Sequence, residues 1–229
     1  LGSDMVSLES TTKRHYMYPH DPDYVEEMSH PDFDEHLDLA IHAGRATKEE
    51  VLKHVRGEIS LKSIRDPFKT VNYSAIYGVG VPKLSREGGF SRSEASTLLS
   101  TYWERNWSVK VIAKEQYVKT LKDGTMWLKN PVSGFYHSLR FEKDIFSTLN
   151  QSTGVYCFDT FVAYCAAAGV EIPMQYHDEI LAECDDDEQS INDTKERLQN
   201  AITKTNEKVK LNVKLSIDFQ TGHDYASVH

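Results

Sequence analysis

Arg65, Lys69, Tyr73 and Tyr77 recur at every fourth position of the stretch 64–78, IRDPFKTVNYSAIYG. No other feature constrains the fold as much. On a helix of 3.6 residues per turn this spacing draws one slowly drifting stripe, two cations followed by two phenols. At about 1.5 Å per residue the stripe is roughly 18 Å long. Pro67 fits a first turn, where its missing N–H would lack a partner anyway, and Gly78 and Gly80 end the helix.

The chain around this helix has 229 residues, enough for a real core in one or two domains. It has no run of about 18 apolar residues to span a membrane and no charged-then-apolar leader. Cys157, Cys165 and Cys184 are odd in number and lack Cys-x2-Cys spacing, so they read as reduced packing residues of a cytosolic protein. The net charge of −9 argues against a free-standing nucleic-acid binder. That argument weakens because many carboxylates cluster near the start and near residue 185, where a metal site or a basic partner chain would use them.

In order, residues 1–8 read as the end of a strand, with Asp4 and Glu9 five apart. Residues 12–33 are polar, aromatic and Pro-punctuated and read as loop. Thr47 with Glu50, and Ser91 with Glu94, have capping-box spacing ahead of helices, the second carrying Ala95, Leu98, Leu99, Tyr102 and Trp103. The stretch 124–140 alternates around Asn-Pro and Ser-Gly as a hairpin. A long helix over 143–168 ends at Gly169. His177, Asp178 and Glu179 sit between two short apolar arms, at the tip of another hairpin. A polar helix starts near Asp187, and LNVKLSIDF alternates strictly as a strand.

Several of these pieces together resemble the polymerase I family, the family A DNA polymerases, of the phage-replicative type. The central stripe resembles that family's Arg-x3-Lys-x3-(Phe or Tyr)-x3-Tyr-Gly, Asp4 to Glu9 its Asp-x4-Glu, and Asp34, His36 and Ala40 its Asp-x-His-x3-Ala. Gln151 stands where the family has a Gln, with Ser147 where Asn is common. His177-Asp178-Glu179 resembles the third motif. The ending GHDYASVH resembles Gly-x-x-(Trp or Tyr)-x3-His, which implies that His229 is the natural end. Ser10 and Thr11 depart from the usual Leu-Arg.

The resemblance implies an α+β fold, a palm with an antiparallel sheet backed by helices, at 1–11 and 123–229, with helical fingers at 12–122. It implies template-directed addition of deoxynucleoside triphosphates to a primer 3′-hydroxyl by phosphoryl transfer. Asp4, the carbonyl of Met5 and Asp178 would bind two Mg2+ ions, with Mn2+ as a substitute, and Glu179 would support the site. Glu9 would crowd the sugar 2′ position. His36, Arg65 and Lys69 would hold the triphosphate, Lys69 also protonating the leaving pyrophosphate. Tyr73 would pack on sugar and base, accepting dideoxynucleotides, and Tyr77 would lie beside the template. Gln151 and His177 would contact primer-template DNA.

The family's thumb, exonuclease-like domain and earlier palm strands have no counterpart here, so the first strand is expected to lack neighbours. A second polypeptide bearing thumb, remaining palm and exonuclease is the expected partner, in a bacterial cytoplasm or phage-infected cell. A single-subunit RNA polymerase shares Arg-x3-Lys-x7-Tyr-Gly, but Glu9, Tyr73 and Glu179 count against it. A noncatalytic replication scaffold is the other alternative, and the retained aspartates count against that.

Overall fold

The computed structural model describes residues 1–228, so the reading of His229 lies outside the described residues. The described chain divides into two compact units, 1–16 with 129–137 and 149–228, and 17–128 with 138–148. Both α-helices and antiparallel strands are present.

The first unit is built on a three-stranded antiparallel sheet in the order β1 (Gly2–Asp4), β6 (Glu179–Glu183), β5 (Glu171–Tyr176). Pairing sets Gly2 opposite Leu181, Ser3 opposite Ile180 and Asp4 opposite Glu179. The register of β5 against β6 shifts between Glu171 and Met174, on the edge strand that carries Pro173, a position where the missing ladder donor is tolerated. Contrary to the expectation of a neighbourless first strand, β1 is met on both sides. Its other flank bonds to 216–220: Gly2 exchanges bonds with Gln220, the Asp218 N–H reaches the Asp4 carbonyl and the Val6 N–H reaches Ser216. The alternating LNVKLSIDF therefore pairs, but only as isolated bridges Met5–Ile217 and Gly2–Gln220 rather than as the continuous strand its pattern predicts.

Two long helices cover this sheet. Phe158, Phe161 and Cys165 of α9 (Ile145–Ala167) and Leu198, Ala201 and Ile202 of α10 (Glu188–Val209) pack with Met5, Ile180 and Ala182 in one buried cluster. Gly169, with φ +74°, follows α9, and Asp187 caps α10 by accepting the Ser190 N–H. Helix α1 (Leu8–Met17) starts at the end of the expected strand and runs into the stretch from residue 12 that was expected to be loop: weak helix formers such as Thr and His hid it, and contact with α9 supplies what propensity lacks.

The second unit is mostly helical: α2 (Pro22–Met28), α3 (Glu35–His42), α4 (Lys48–Val55), α5 (Lys62–Ile76), α6 (Val81–Gly88), α7 (Arg92–Arg105) and α8 (Trp107–Glu115). Helix α2 also replaces expected loop, with Asp21 as N-cap and Pro22 in its first turn. Both predicted capping boxes are present, Thr47 with Glu50 and Ser91 with Glu94. Helix α5 starts at Lys62, three residues before Arg65, which places Pro67 beyond the first turn and leaves the Ser63 carbonyl without its helical donor. Phe68, Val71 and Ala75 of α5 meet Leu39 and Ala40 of α3 and Leu98, Leu99 and Tyr102 of α7 in the core. The chain then forms β2 (Val118–Thr120), which the sequence did not announce, followed by the predicted hairpin of β3 (Met126–Lys129) and β4 (Tyr136–Leu139).

Candidate active site

The sequence-predicted residues fall into two groups, one on each unit. In the first unit the end of β1 and the tip of the β5–β6 hairpin come together. Asp4 lies opposite Glu179, and the Met5 N–H donates to the Asp178 carbonyl at 3.0 Å. The turn is only His177 and Asp178, since Tyr176 pairs with Glu179. His177 takes a left-handed φ of +54°, strained for a residue with a Cβ, and its ring packs edge-on against Tyr176 at 4.4 Å. Asp4 and Asp178 are half-buried, whereas Glu179 is buried. Gly2 makes room for that glutamate: a Cβ there would lie 3.1 Å from Glu179 Oε1 and 2.8 Å from the Val228 carbonyl oxygen. The carboxyl-terminal motif packs on the same hairpin, with the rings of Tyr225 and Tyr176 6.4 Å apart.

Beside this hairpin, Glu9 sits in the first turn of α1, its carbonyl accepting Asn150 Nδ2 at 3.0 Å. Gln151 is exposed on α9. A residue that sequence reasoning missed holds this stretch of α9. Asn130 is fully buried, its Nδ2 donating to the hydroxyls of Ser152 at 2.8 Å and Thr153 at 2.9 Å. Its Oδ1 accepts the N–H groups of Val132 and Ser133, closing the hairpin turn. The Tyr16 hydroxyl reaches Thr153 as well, at 2.6 Å. The Asn-Pro dipeptide signalled a turn, but not these longer-range bonds.

In the second unit α5 turns its stripe outward. Lys69, Tyr73 and Tyr77 are exposed and Arg65 is half-buried, while Phe68, Val71, Asn72, Ala75 and Ile76 face the core. Arg65 Nε donates to Asp34 at 2.5 Å, and Asp34 also caps α3 by accepting the N–H groups of His36 and Leu37. Burial alone would raise the Asp34 pKa, but the bonds from Arg65 and the Leu37 N–H outweigh it and hold the carboxyl below its usual range. Lys69 Nζ lies 5.8 Å from the Tyr73 ring centre. His36 is buried, its ring 5.6 Å from that of Tyr73. Burial lowers its pKa; Glu35 and Asp34 oppose this and Arg65 and Lys69 reinforce it, so His36 is a neutral hydrogen-bonding group at pH 7. A pocket of about 400 Å³ opens beside Tyr77, lined by Tyr73, Gly78, Lys83 and Lys143 among others.

A second feature unannounced by the sequence braces α3. Arg105 of α7 donates to Asp38 at 3.0 Å and to Glu27, and stacks 3.8 Å from the Tyr24 ring centre. Tyr24 donates in turn to Asp38. Burial, then Asp38, drives the Tyr24 pKa well above that of a free phenol.

Among the described residues no three His, Cys, Asp or Glu side chains cluster as a metal site. Asp4 and Asp178 nevertheless put two half-buried carboxylates on chain segments joined by the Met5–Asp178 main-chain bond, and both offer only oxygen donors. That fits a hard cation completing its shell with carbonyl, water or phosphate oxygens. No helix is long and apolar enough to cross a membrane, again among the described residues.

No family model matches the chain. Over 102 residues, 43% of this chain, it is 32% identical to a curated relative, the DNA polymerase I of Helicobacter pylori. It spans 11% of that protein's length. In fold it is similar to the "POL domain of Pol1 from M. smegmatis complex with DNA primer-template and dNTP", with a TM-score of 0.70 and 18% identity. That similarity covers 95% of this chain and 38% of the other. The chain thus has the mixed α+β fold of a polymerase domain portion.

Proposed function

We propose that this chain is part of a family A, polymerase I-like DNA polymerase of the phage-replicative type, and that it adds deoxynucleotides to a primer 3′-hydroxyl. The observation that carries this reading is the Met5–Asp178 bond, which brings together two acids 174 positions apart in sequence (178 − 4) on the fold of a polymerase domain. The identity with a DNA polymerase I adds support. In this reading 1–11 and 123–229 form the palm and 12–122 the fingers.

In the reaction the primer 3′-oxygen bonds to the α-phosphorus as the bond from that phosphorus to the pyrophosphate breaks. Arg65 releases its fork from Asp34 to grip the triphosphate, and Lys69 adds a point charge and protonates the leaving pyrophosphate. His36 contributes a hydrogen bond without charge. Tyr73 packs on the sugar and base, Tyr77 and its pocket receive the template position, and Glu9 fills the space a ribose 2′-hydroxyl would need. Gln151 reads the primer-template minor groove and His177 meets the primer end. Asp4, Asp178 and the Met5 carbonyl would hold two Mg2+ ions, or Mn2+, with Glu179 behind them. Such ions lower the pKa of the 3′-hydroxyl and neutralise the leaving group. A DNA-gripping thumb, the remaining palm and an exonuclease would complete such an enzyme, in the cytoplasm.

Primer extension tests this, using the chain alone and the chain with proteins co-purified from its source. Extension with deoxynucleotides, and gain of ribonucleotide use in Glu9→Ala, is the expected result. Absence of extension in every combination, despite a stable complex, would replace the reading with that of a scaffold.

A further inference from the structure

We propose that Asn72 is a positioning residue that fixes His36 as the neutral imidazole protonated on Nε2, leaving that N–H as a donor to a phosphate oxygen of the bound nucleotide. The inference rests on the polymerase reading for its ligand, but not for its tautomer.

Asn72 lies on the buried face of α5 and is 8% exposed. Its Nδ2 is 3.2 Å from the Glu35 carbonyl oxygen, 3.3 Å from that of Phe68 and 3.1 Å from His36 Nδ1. Two main-chain carbonyls can only accept, so the amide must present its NH2 here. The reversed amide would set Oδ1 against both oxygens. An NH2 group has no lone pair to offer, so Nδ1 is the acceptor. A neutral imidazole that accepts at Nδ1 carries its proton on Nε2. Among the described residues no hydrogen-bond partner meets Nε2, which leaves it for a ligand.

The surroundings keep the ring neutral as well as oriented. His36 is 4% exposed, with Asp34 and Glu35 beside it on α3 and Arg65 and Lys69 facing it from α5. The two cations supply charge to a polyanion. The ring supplies a directed N–H that stays a donor across the neutral range. Tyr73, next in sequence to Asn72, lies against the ring, so the residue set to touch the sugar and base and the one set to touch phosphate share one support. Nothing in the sequence marked Asn72, because its place in the stripe's helix is on the opposite, buried face.

Nitrogen-15 NMR of the histidine-labelled full chain reads the tautomer directly. Wild type is expected to show a protonated Nε2 at His36. Asn72→Asp, which places a carboxylate opposite Nδ1, should move the proton to Nδ1 and raise the titration midpoint. Wild-type protonation on Nδ1 would overturn the inference whether or not either variant folds. Binding of a fluorescent deoxynucleoside triphosphate reads the ligand half. Asn72→Leu should weaken it about tenfold, the loss of roughly one hydrogen bond, and should add nothing in a His36→Leu background. Equal weakening in both backgrounds would reduce Asn72 to a packing residue. A wild-type chain that binds no triphosphate would contradict the proposed function, while the NMR signal would still decide the tautomer.

Discussion

The Met5 main-chain N–H donates to the Asp178 carbonyl at 3.0 Å, tying the strand that ends in Asp4 to the tip of the hairpin that carries the second aspartate. Because β1 also bonds to 216–220 on its far side, Asp4 stands on a strand held from both flanks. Side chains placed on supported strand ends keep their geometry better than side chains on loops.

The hairpin tip carries strain. His177 holds φ +54° in a two-residue turn, a conformation that costs a residue with a Cβ about 1 kcal/mol and glycine almost nothing. His177→Gly should leave the fold as stable or raise its stability by up to about 1 kcal/mol in urea unfolding, while weakening primer extension. A destabilised His177→Gly would show that the ring's packing on Tyr176 outweighs the strain.

Asn130 closes a turn and anchors α9 with one buried amide. Asn130→Ala would leave the Val132 and Ser133 N–H groups without their acceptor and is expected to cost about 2–3 kcal/mol. Chemical denaturation measures this, and a loss under about 0.5 kcal/mol would mean that the turn re-forms its bonds elsewhere.

Arg105 ties α7 to Asp38 of α3 and Glu27 of α2 beneath the Tyr24 ring. Its removal leaves Asp38, 14% exposed in its side chain, without its cation. Arg105→Ala should destabilise the second unit by about 3 kcal/mol. Asp38→Asn paired with Arg105→Met should lose less than the single change, because no charge is then stranded.

The central helix was legible because amphipathic periodicity and glycine stops are local signals. Its stripe faces outward, and its apolar face, Phe68, Val71 and Ala75, enters the core. The two capping boxes and the His177–Asp178 turn were legible for the same reason. Arg105 and Asp38 lie 67 residues apart and Asn130 and Thr153 lie 23 apart, and neither pair has a local pattern. Helices α1 and α2 were obscured by residues of low helix propensity, where packing decides. LNVKLSIDF had the right period, yet a strand also needs a regular partner, and β1 offers it only isolated bridges.

His15 gives the first unit an acid-side weakness. Burial lowers its pKa to about 4, and its Nδ1 accepts the Asn212 N–H at 3.0 Å, which a protonated ring cannot do. The unfolded chain takes up this proton near pH 6.5, before the folded chain does. The stability contributed by the neutral ring is therefore complete above that pH and lost as pH falls towards 4. Thermal unfolding between pH 7 and 4 should show this decline, and His15→Gln should flatten it. An unchanged slope in the variant would assign the decline to other groups.

The central claim is that Asp4 and Asp178 together support phosphoryl transfer. Its most direct measurement is the initial rate of Mg2+-dependent primer extension, in the complex that is active, for wild type, Asp4→Ala and Asp178→Ala at matched folding. The account predicts that each alanine lowers the rate at least about a thousandfold and that the double variant is no worse than either single one, as for groups acting as one unit. Near-wild-type extension by either alanine variant would contradict it.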